Sequence, residues 1–100
     1  MKTITVQELK ALMDQNADFQ LIDVREPHEY DEANIGGHLI PLGEIPARFE
    51  EISKDKQVIM QCRSGARSAN ALMFLEQNHV YSNLYNLEGG ILAWISAFGD

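Results

Sequence analysis

Cysteine is nearly absent from this sequence. A single Cys62 among 100 residues excludes an intramolecular disulfide and any metal centre built on several thiolates. Such usage suits a reducing compartment, and a cytoplasmic setting is expected. Basic residues are scarce too: eight Lys and Arg stand against 15 Asp and Glu, a net charge of −7. A chain with that field repels phosphate, which argues against nucleic acid or an anionic membrane as partner. No apolar run approaches the roughly 20 residues that cross a bilayer. Met1 to Glu8 lead directly into patterned sequence rather than into a signal-peptide core. Internal repeats, low-complexity stretches and linkers are all missing, and the three Pro and seven Gly fall at turn positions. The composition that remains, 45% hydrophobic and 23% charged, is that of a globular protein. Residues 1–100 are expected to form a single domain with one core.

Short apolar runs alternate with amphipathic stretches. Residues 3–5 read as a first strand, and Val6, Leu9, Leu12 and Met13 mark one face of a helix to about Gln15. A second strand is expected over 20–24, with Pro27 opening a short helix to Tyr30. Leu39 and Ile40 make a brief strand, and Ile45, Phe49 and Ile52 repeat at helical spacing. Val58-Ile59-Met60 has the unbroken apolar character of a central strand covered on both faces. A long helix is expected over 66–78, a last strand over 83–86 and a closing apolar helix from Gly90 to Phe98. In that helix Leu92, Trp94, Ile95 and Phe98 are expected to pack on the sheet, whereas Ile35, Leu39 and Leu42 are candidates for an exposed apolar patch. Strands separated by helices imply right-handed crossovers. The fold class is α/β, a mainly parallel five-stranded sheet with helices on both faces.

Open parallel sheets bind their ligands beyond the carboxyl ends of the strands, and the central strand runs directly into Cys62. Arg63-Ser64-Gly65-Ala66-Arg67-Ser68 then leads into the long helix. The lone thiol is therefore expected in a tight strand-to-helix loop. Converging loop N–H groups and the helix dipole favour an anion there. Arg63 and Arg67 add two permanent positive charges suited to an oxyanion. No acid lies between Asp55 and Glu76, a window that holds Lys56, Arg63 and Arg67. These features predict a lowered Cys62 pKa, and the thiolate is the nucleophilic form. The plain alternative is a cysteine acting as a small buried hydrophobe, a role that needs neither flanking arginines nor a glycine-bearing loop.

Other residues carry two readings each. Ser64 and Ser68 either donate to the sulfur or cap the following helix, and Gly65 permits an unusual backbone angle. Asp23 interrupts an apolar strand and needs partners, supplied by Arg25 or loop N–H groups. It serves either to brace the structure or to orient the Cys62 loop. Arg25, Glu26 and Glu29 read as a surface and loop-bracing ion-pair set. His28, His38 and His79 show no ligand spacing, so no metal is expected.

Residues Cys62 to Ser68 resemble the active-site loop of the rhodanese family of sulfurtransferases. The likeness runs from about Ile4 to Phe98 and includes three further segments in the right order. These are Leu21-Ile22-Asp23-Val24-Arg25-Glu26 with Glu29-Tyr30, the stretch from Asn34 to Leu42, and Leu87-Glu88-Gly89-Gly90-Ile91-Leu92-Ala93-Trp94. The resemblance implies a three-layer domain and a two-step exchange that needs no cofactor. A Cys62 thiolate takes the outer sulfur of thiosulfate, or of another persulfide donor, and becomes a persulfide. The sulfur then passes to cyanide in an assay, or to a thiol or sulfur-carrier protein in the cell. Arg63 and Arg67 are the implied holders of the sulfonate end of a donor.

Relatives acting on phosphate or arsenate carry five residues between the cysteine and an arginine. Here four, Arg63 to Ala66, separate Cys62 from Arg67, a tighter cradle suited to sulfur. The sequence departs from the family pattern at Ala33-Asn34-Ile35, where many members have Gly-His-Ile. It also lacks the second domain of the larger members, which implies an open acceptor site and a protein acceptor. Two competing readings are a phosphatase or arsenate reductase on the same loop, and a non-enzymatic sulfur carrier, redox sensor or binding module using Cys62.

Overall fold

Strand β1 (Thr3–Ile4) stops after two residues because Thr5 turns to cap α1 (Val6–Asp14). The Thr5 hydroxyl accepts from the Glu8 N–H while the Glu8 carboxylate accepts from the Thr5 N–H, a reciprocal capping box. The computed structural model describes residues 1–99. After α1 come β2 (Phe19–Asp23), α2 (Pro27–Glu32), β3 (His38–Leu39) and α3 (Ile45–Arg48). They are followed by β4 (Gln57–Gln61), α4 (Ala66–Asn78), β5 (Leu84–Leu87) and α5 (Gly90–Phe98). Proline suits the first turn of α2, where its missing N–H has no partner to lose.

Residues 45–52 differ from the continuous helix their spacing suggests. Only Ile45–Arg48 is α-helical, between the 3₁₀ turns Leu42–Glu44 and Phe49–Glu51. Distant side chains take the groups that would prolong the helix. Gln20 accepts the Ser53 N–H through Oε1, and the Phe49 carbonyl accepts from the Ile52 N–H and the Tyr81 hydroxyl.

The strands lie in the order β1-β5-β4-β2-β3, and every pairing is parallel. Strand alternation divides the core into two. Ile22, Val24, Val58, Met60, Cys62 and Leu84 pack with Ile45 of α3 and with Ala71, Leu72 and Leu75 of α4. Leu21, Ile59 and Leu87 pack with Val6 and Leu9 of α1, flanked by Ala93 and Trp94 of α5. Helices thus cover both faces in three layers, as expected. Fully burying one such Val, Leu or Ile contributes about 1.5–3 kcal/mol.

Two expectations about apolar side chains fail. Leu92 and Phe98 remain 42% exposed, since α5 turns its Ile91 and Trp94 side inward. Phe98 instead meets Trp94 edge-on at 4.8 Å. Ile35 and Leu42 pack against different core clusters, so no single apolar patch joins them. Among the described residues, no helix is long and apolar enough to cross a membrane.

Candidate active site

The middle position of β4 brings Cys62 to the carboxyl edge of the sheet, with β2 on one side and β5 on the other. Gly65 caps α4 at φ +107, a backbone angle that strains any residue with a Cβ. That turn aims the Gly65 N–H at Cys62 Sγ, 3.1 Å away. Ser68, in the first turn of α4, places Oγ at 3.4 Å from the same sulfur. Burial pushes the thiol pKa up, since Cys62 is 1% exposed. The Ser68 hydroxyl and the N–H groups of Ser68, Gly65 and Ser64 push it down more strongly, so it lies below the ordinary thiol value. The cysteine is buried, as in the plain reading, yet its sulfur faces the Gly65 N–H and the Ser68 hydroxyl rather than apolar groups alone.

α5 supports the loop from behind. The Ile91 and Leu92 amides donate to the carbonyls of Cys62 and Arg63 at 2.9 and 3.1 Å. These bonds satisfy N–H groups that the start of a helix otherwise leaves unpaired. Because a trans peptide sets N–H opposite C=O, they also turn the Arg63 and Ser64 amides away from α5. Gly90 must lack a side chain for this approach: a Cβ there would sit 2.4 Å from the Cys62 oxygen and 2.6 Å from that of Arg63.

The two arginines part company. Arg67 makes a bidentate ion pair with Glu29 of α2 at 2.7 and 2.8 Å, and this guanidinium holds the Glu29 carboxyl at about 2. Folding therefore brings an acid into a region that is free of acids along the chain. Arg63 is exposed and has no ion pair among the described residues. It borders a cleft of about 170 Å³ with Arg25, Glu29, Glu32, Ile91 and Ile95. Ser64 and Ala66 are exposed beside it. Ser64 contributes its backbone N–H toward the sulfur, whereas Ser68 contributes its hydroxyl.

Asp23 and Arg25 form a buried pair, 0% and 4% exposed, and Arg25 is not the surface residue its sequence context suggests. Arg25 Nη2 meets Asp23 Oδ2 at 2.8 Å, and its Nε and backbone N–H both reach Oδ1 at 3.0 Å. The guanidinium also donates to the Ala33 carbonyl at 2.8 Å and the Glu29 carbonyl at 3.4 Å. Neither residue hydrogen-bonds to 62–68. The pair fixes α2 instead, and α2 supplies Glu29 to Arg67. The histidines are scattered: His38 pairs with Glu51, and His79 stacks on Phe49.

The sequence reading gave Glu29 a loop-bracing ion pair without naming Arg67 as its partner, and it missed two further contributors, Gly90 as the point of approach and Asn86. Asn86 Nδ2 donates to the Gly65 carbonyl at 3.1 Å, and its Oδ1 lies 2.5 Å from Ser68 Oγ. The available signal was a polar residue interrupting the apolar run of β5, as Asp23 interrupts β2.

Comparison with known proteins agrees with this architecture. The rhodanese-like domain family model matches residues 5–97. A sulfurtransferase of Allochromatium vinosum is 40% identical over 92 residues, covering 91% of this chain and 85% of its own. The crystal structure of a rhodanese-related protein from Thermoplasma volcanium has a TM-score of 0.85 at 29% identity, over 100% of this chain and 96% of that one. A thiosulfate sulfurtransferase from Pseudomonas aeruginosa gives a TM-score of 0.87 at 25% identity, with all of this chain matching 20% of that protein. The five-stranded parallel sheet, the loop after its central strand and these matches together place the chain in the rhodanese-like family of sulfurtransferases.

Proposed function

We propose that this protein transfers sulfane sulfur through a persulfide on Cys62, with residues 1–100 acting as one sulfurtransferase domain in a reducing, cytoplasmic setting. The observation that carries the reading is the sulfur cradle. A thiol of lowered pKa lies between the Gly65 N–H and the Ser68 hydroxyl. In the first step the Cys62 thiolate attacks the outer sulfur of thiosulfate. A new S–S bond forms on Sγ while the bond to the sulfonate sulfur breaks, and sulfite leaves with the electron pair. Arg63, without an ion pair among the described residues, binds the sulfonate oxygens. Arg67 keeps the start of α4 in place through Glu29.

In the second step a nucleophilic acceptor attacks the outer sulfur, and Cys62 leaves as thiolate. Preorganised N–H donors stabilise the anionic sulfur at both stages without reorganising. Cyanide is the assay acceptor; a thiol or a sulfur-carrier protein serves in the cell. A protein persulfide is an equivalent donor, because the same bond is broken. The likeness to a thiosulfate sulfurtransferase supports thiosulfate as the first donor to try.

The test is thiosulfate:cyanide sulfurtransferase activity beside Cys62→Ser, with intact-mass analysis after thiosulfate alone. Turnover and a gain of one sulfur atom are expected, both lost in Cys62→Ser. Persulfide formation should rise with pH and level off below the ordinary thiol value of about 8.5. A sulfur adduct without turnover would restrict the acceptor to a specific protein. Absence of both would overturn thiosulfate as the donor.

A further inference from the structure

The Ser68 hydroxyl has one proton and three acceptors around it: Cys62 Sγ at 3.4 Å, the Gly65 carbonyl at 3.2 Å and Asn86 Oδ1 at 2.5 Å. Asn86 cannot present its nitrogen instead. Its Nδ2 donates to the Gly65 carbonyl, and a turned amide would set two oxygens against each other. Oδ1 therefore faces Ser68 and takes the proton at the shortest of the three distances. Both residues are buried, so bulk water does not settle the contest. With the Gly65 N–H on Sγ, the groups close a ring that runs from sulfur through the Ser68 hydroxyl and the Asn86 amide to the Gly65 carbonyl and back through the Gly65 Cα and N–H.

The ring has two arrangements. As a thiol, Cys62 donates its S–H to Ser68 Oγ, and Ser68 donates to Asn86. When the thiol proton leaves to water, the sulfur becomes an acceptor only, and the Ser68 hydroxyl rotates from Asn86 to Sγ. No other bond changes. That rotation leaves Asn86 Oδ1 without its donor, a cost set against ionisation. We propose that Asn86 is a positioning residue that competes with the Cys62 sulfur for the Ser68 proton and so sets how readily the thiol ionises. As sulfur transfer moves negative charge from Sγ to the outer sulfur, the hydroxyl returns to Asn86. Its release to the acceptor draws the hydroxyl back. The consequence for turnover rests on Cys62 being the nucleophile; the ionisation itself does not.

The other charged groups on the elements around the thiol are Arg63 in the loop, Arg67 on α4, Asp23 of β2 with Arg25 after it, and Glu29 of α2. On the α3 side, Arg48 is tied to Glu44 and Glu51, and the Tyr81 hydroxyl donates to backbone carbonyls. β4, β5 and α5 carry no Asp, Glu, Lys or Arg.

The experiment is a thiolate absorbance titration of Cys62 in the wild type, Ser68→Ala, Asn86→Ala, Asn86→Asp and the Ser68→Ala/Asn86→Ala pair, each checked for folding by thermal melt. Removing one hydrogen bond should change the thiolate-to-thiol ratio about two- to tenfold. Ser68→Ala should raise the thiol pKa, Asn86→Ala should lower it, and the double variant should follow Ser68→Ala. Asn86→Asp, which keeps the acceptor oxygen and adds charge, should raise it. A purely structural Asn86 would slacken the loop when removed and raise the pKa in Asn86→Ala. A rise or no change in that variant would overturn the proposal. Should Asn86→Ala not fold, a lowered or unchanged pKa in Asn86→Asp would do so. Loss of persulfide formation in the wild type would instead count against sulfur transfer and leave the titration readable.

Discussion

Arg63 and Arg67 are the same residue type in the same loop, yet among the described residues only Arg67 has an ion-pair partner. The difference is Glu29, whose carboxylate takes both outer nitrogens of Arg67. In an unfolded chain that carboxyl titrates near 4.5; in the fold Arg67 holds it at about 2. A carboxylate lowered in this way contributes stability that is fully present above the unfolded value and is lost as pH falls toward the folded one. Arg67 is 34% exposed, so solvent screening limits the pair to about 1 kcal/mol. Glu29→Gln should therefore be about 1 kcal/mol less stable than the wild type at pH 7, with the gap closing toward pH 2. Denaturant melts across that range test this, and an equal gap at both ends would mean that the charge is not the cause. The cationic character of the loop was legible in Arg63 and Arg67 themselves. Which cation stays free was not, because Glu29 is remote in sequence and only the tertiary placement of α2 decides it. Which of Ser64 and Ser68 brings its hydroxyl to the sulfur stayed open in the sequence for a related reason: the first turn of α4, not proximity to Cys62 along the chain, carries Ser68 Oγ to 3.4 Å from Sγ.

At the scale of elements, the Cys62 loop is held between the beginnings of two helices, α4 in front and α5 behind. The α5 contact depends on Gly90, at φ +57 with backbone oxygens where a Cβ would project. Gly90→Ala must push the Cys62 and Arg63 carbonyls away, at a cost of about 1–3 kcal/mol. Since those carbonyls orient the loop amides, persulfide formation should fall by a larger factor than stability alone explains. Gly43→Ala is the control, for a Cβ there meets nothing within 4 Å. Rates and melts of both variants beside the wild type decide it; a Gly90→Ala protein equal to Gly43→Ala in both would remove α5 from the site. The boundaries of α4 and α5 could be read from the sequence, because a periodic apolar face and a glycine pair are local signals. The break-up of residues 45–52 could not. It is imposed by Gln20 and Tyr81, side chains from other parts of the fold.

The whole molecule places a buried polar residue near the carboxyl end of each strand that flanks β4: Asn86 in β5 bonds to the Cys62 loop and α4 directly, and Asp23 in β2 anchors α2 through Arg25. The parallel sheet and its helical layers followed from the alternation of runs, but strand order determines which interruptions lie next to Cys62. Asp23 carries the larger mechanical load, because through Arg25 it attaches α2, an element with no buried residue of its own. Asp23→Asn leaves a 4% exposed guanidinium facing a neutral amide, a loss of about 3–5 kcal/mol when one partner of a buried pair is removed. Against a total of about 5–15 kcal/mol for a domain, that is a large fraction. At about 4–8 °C per kcal/mol for a domain of this size, the melting temperature should fall by at least about 12 °C. Persulfide formation should weaken with it, since a displaced α2 withdraws Glu29 from Arg67 and frees the start of α4. The opposite outcome is equally readable. A fall of less than about 4 °C would mean that the Pro27 start and the Glu26–Glu29 cap hold α2 by themselves, leaving the buried pair with no part in bracing the sulfur cradle.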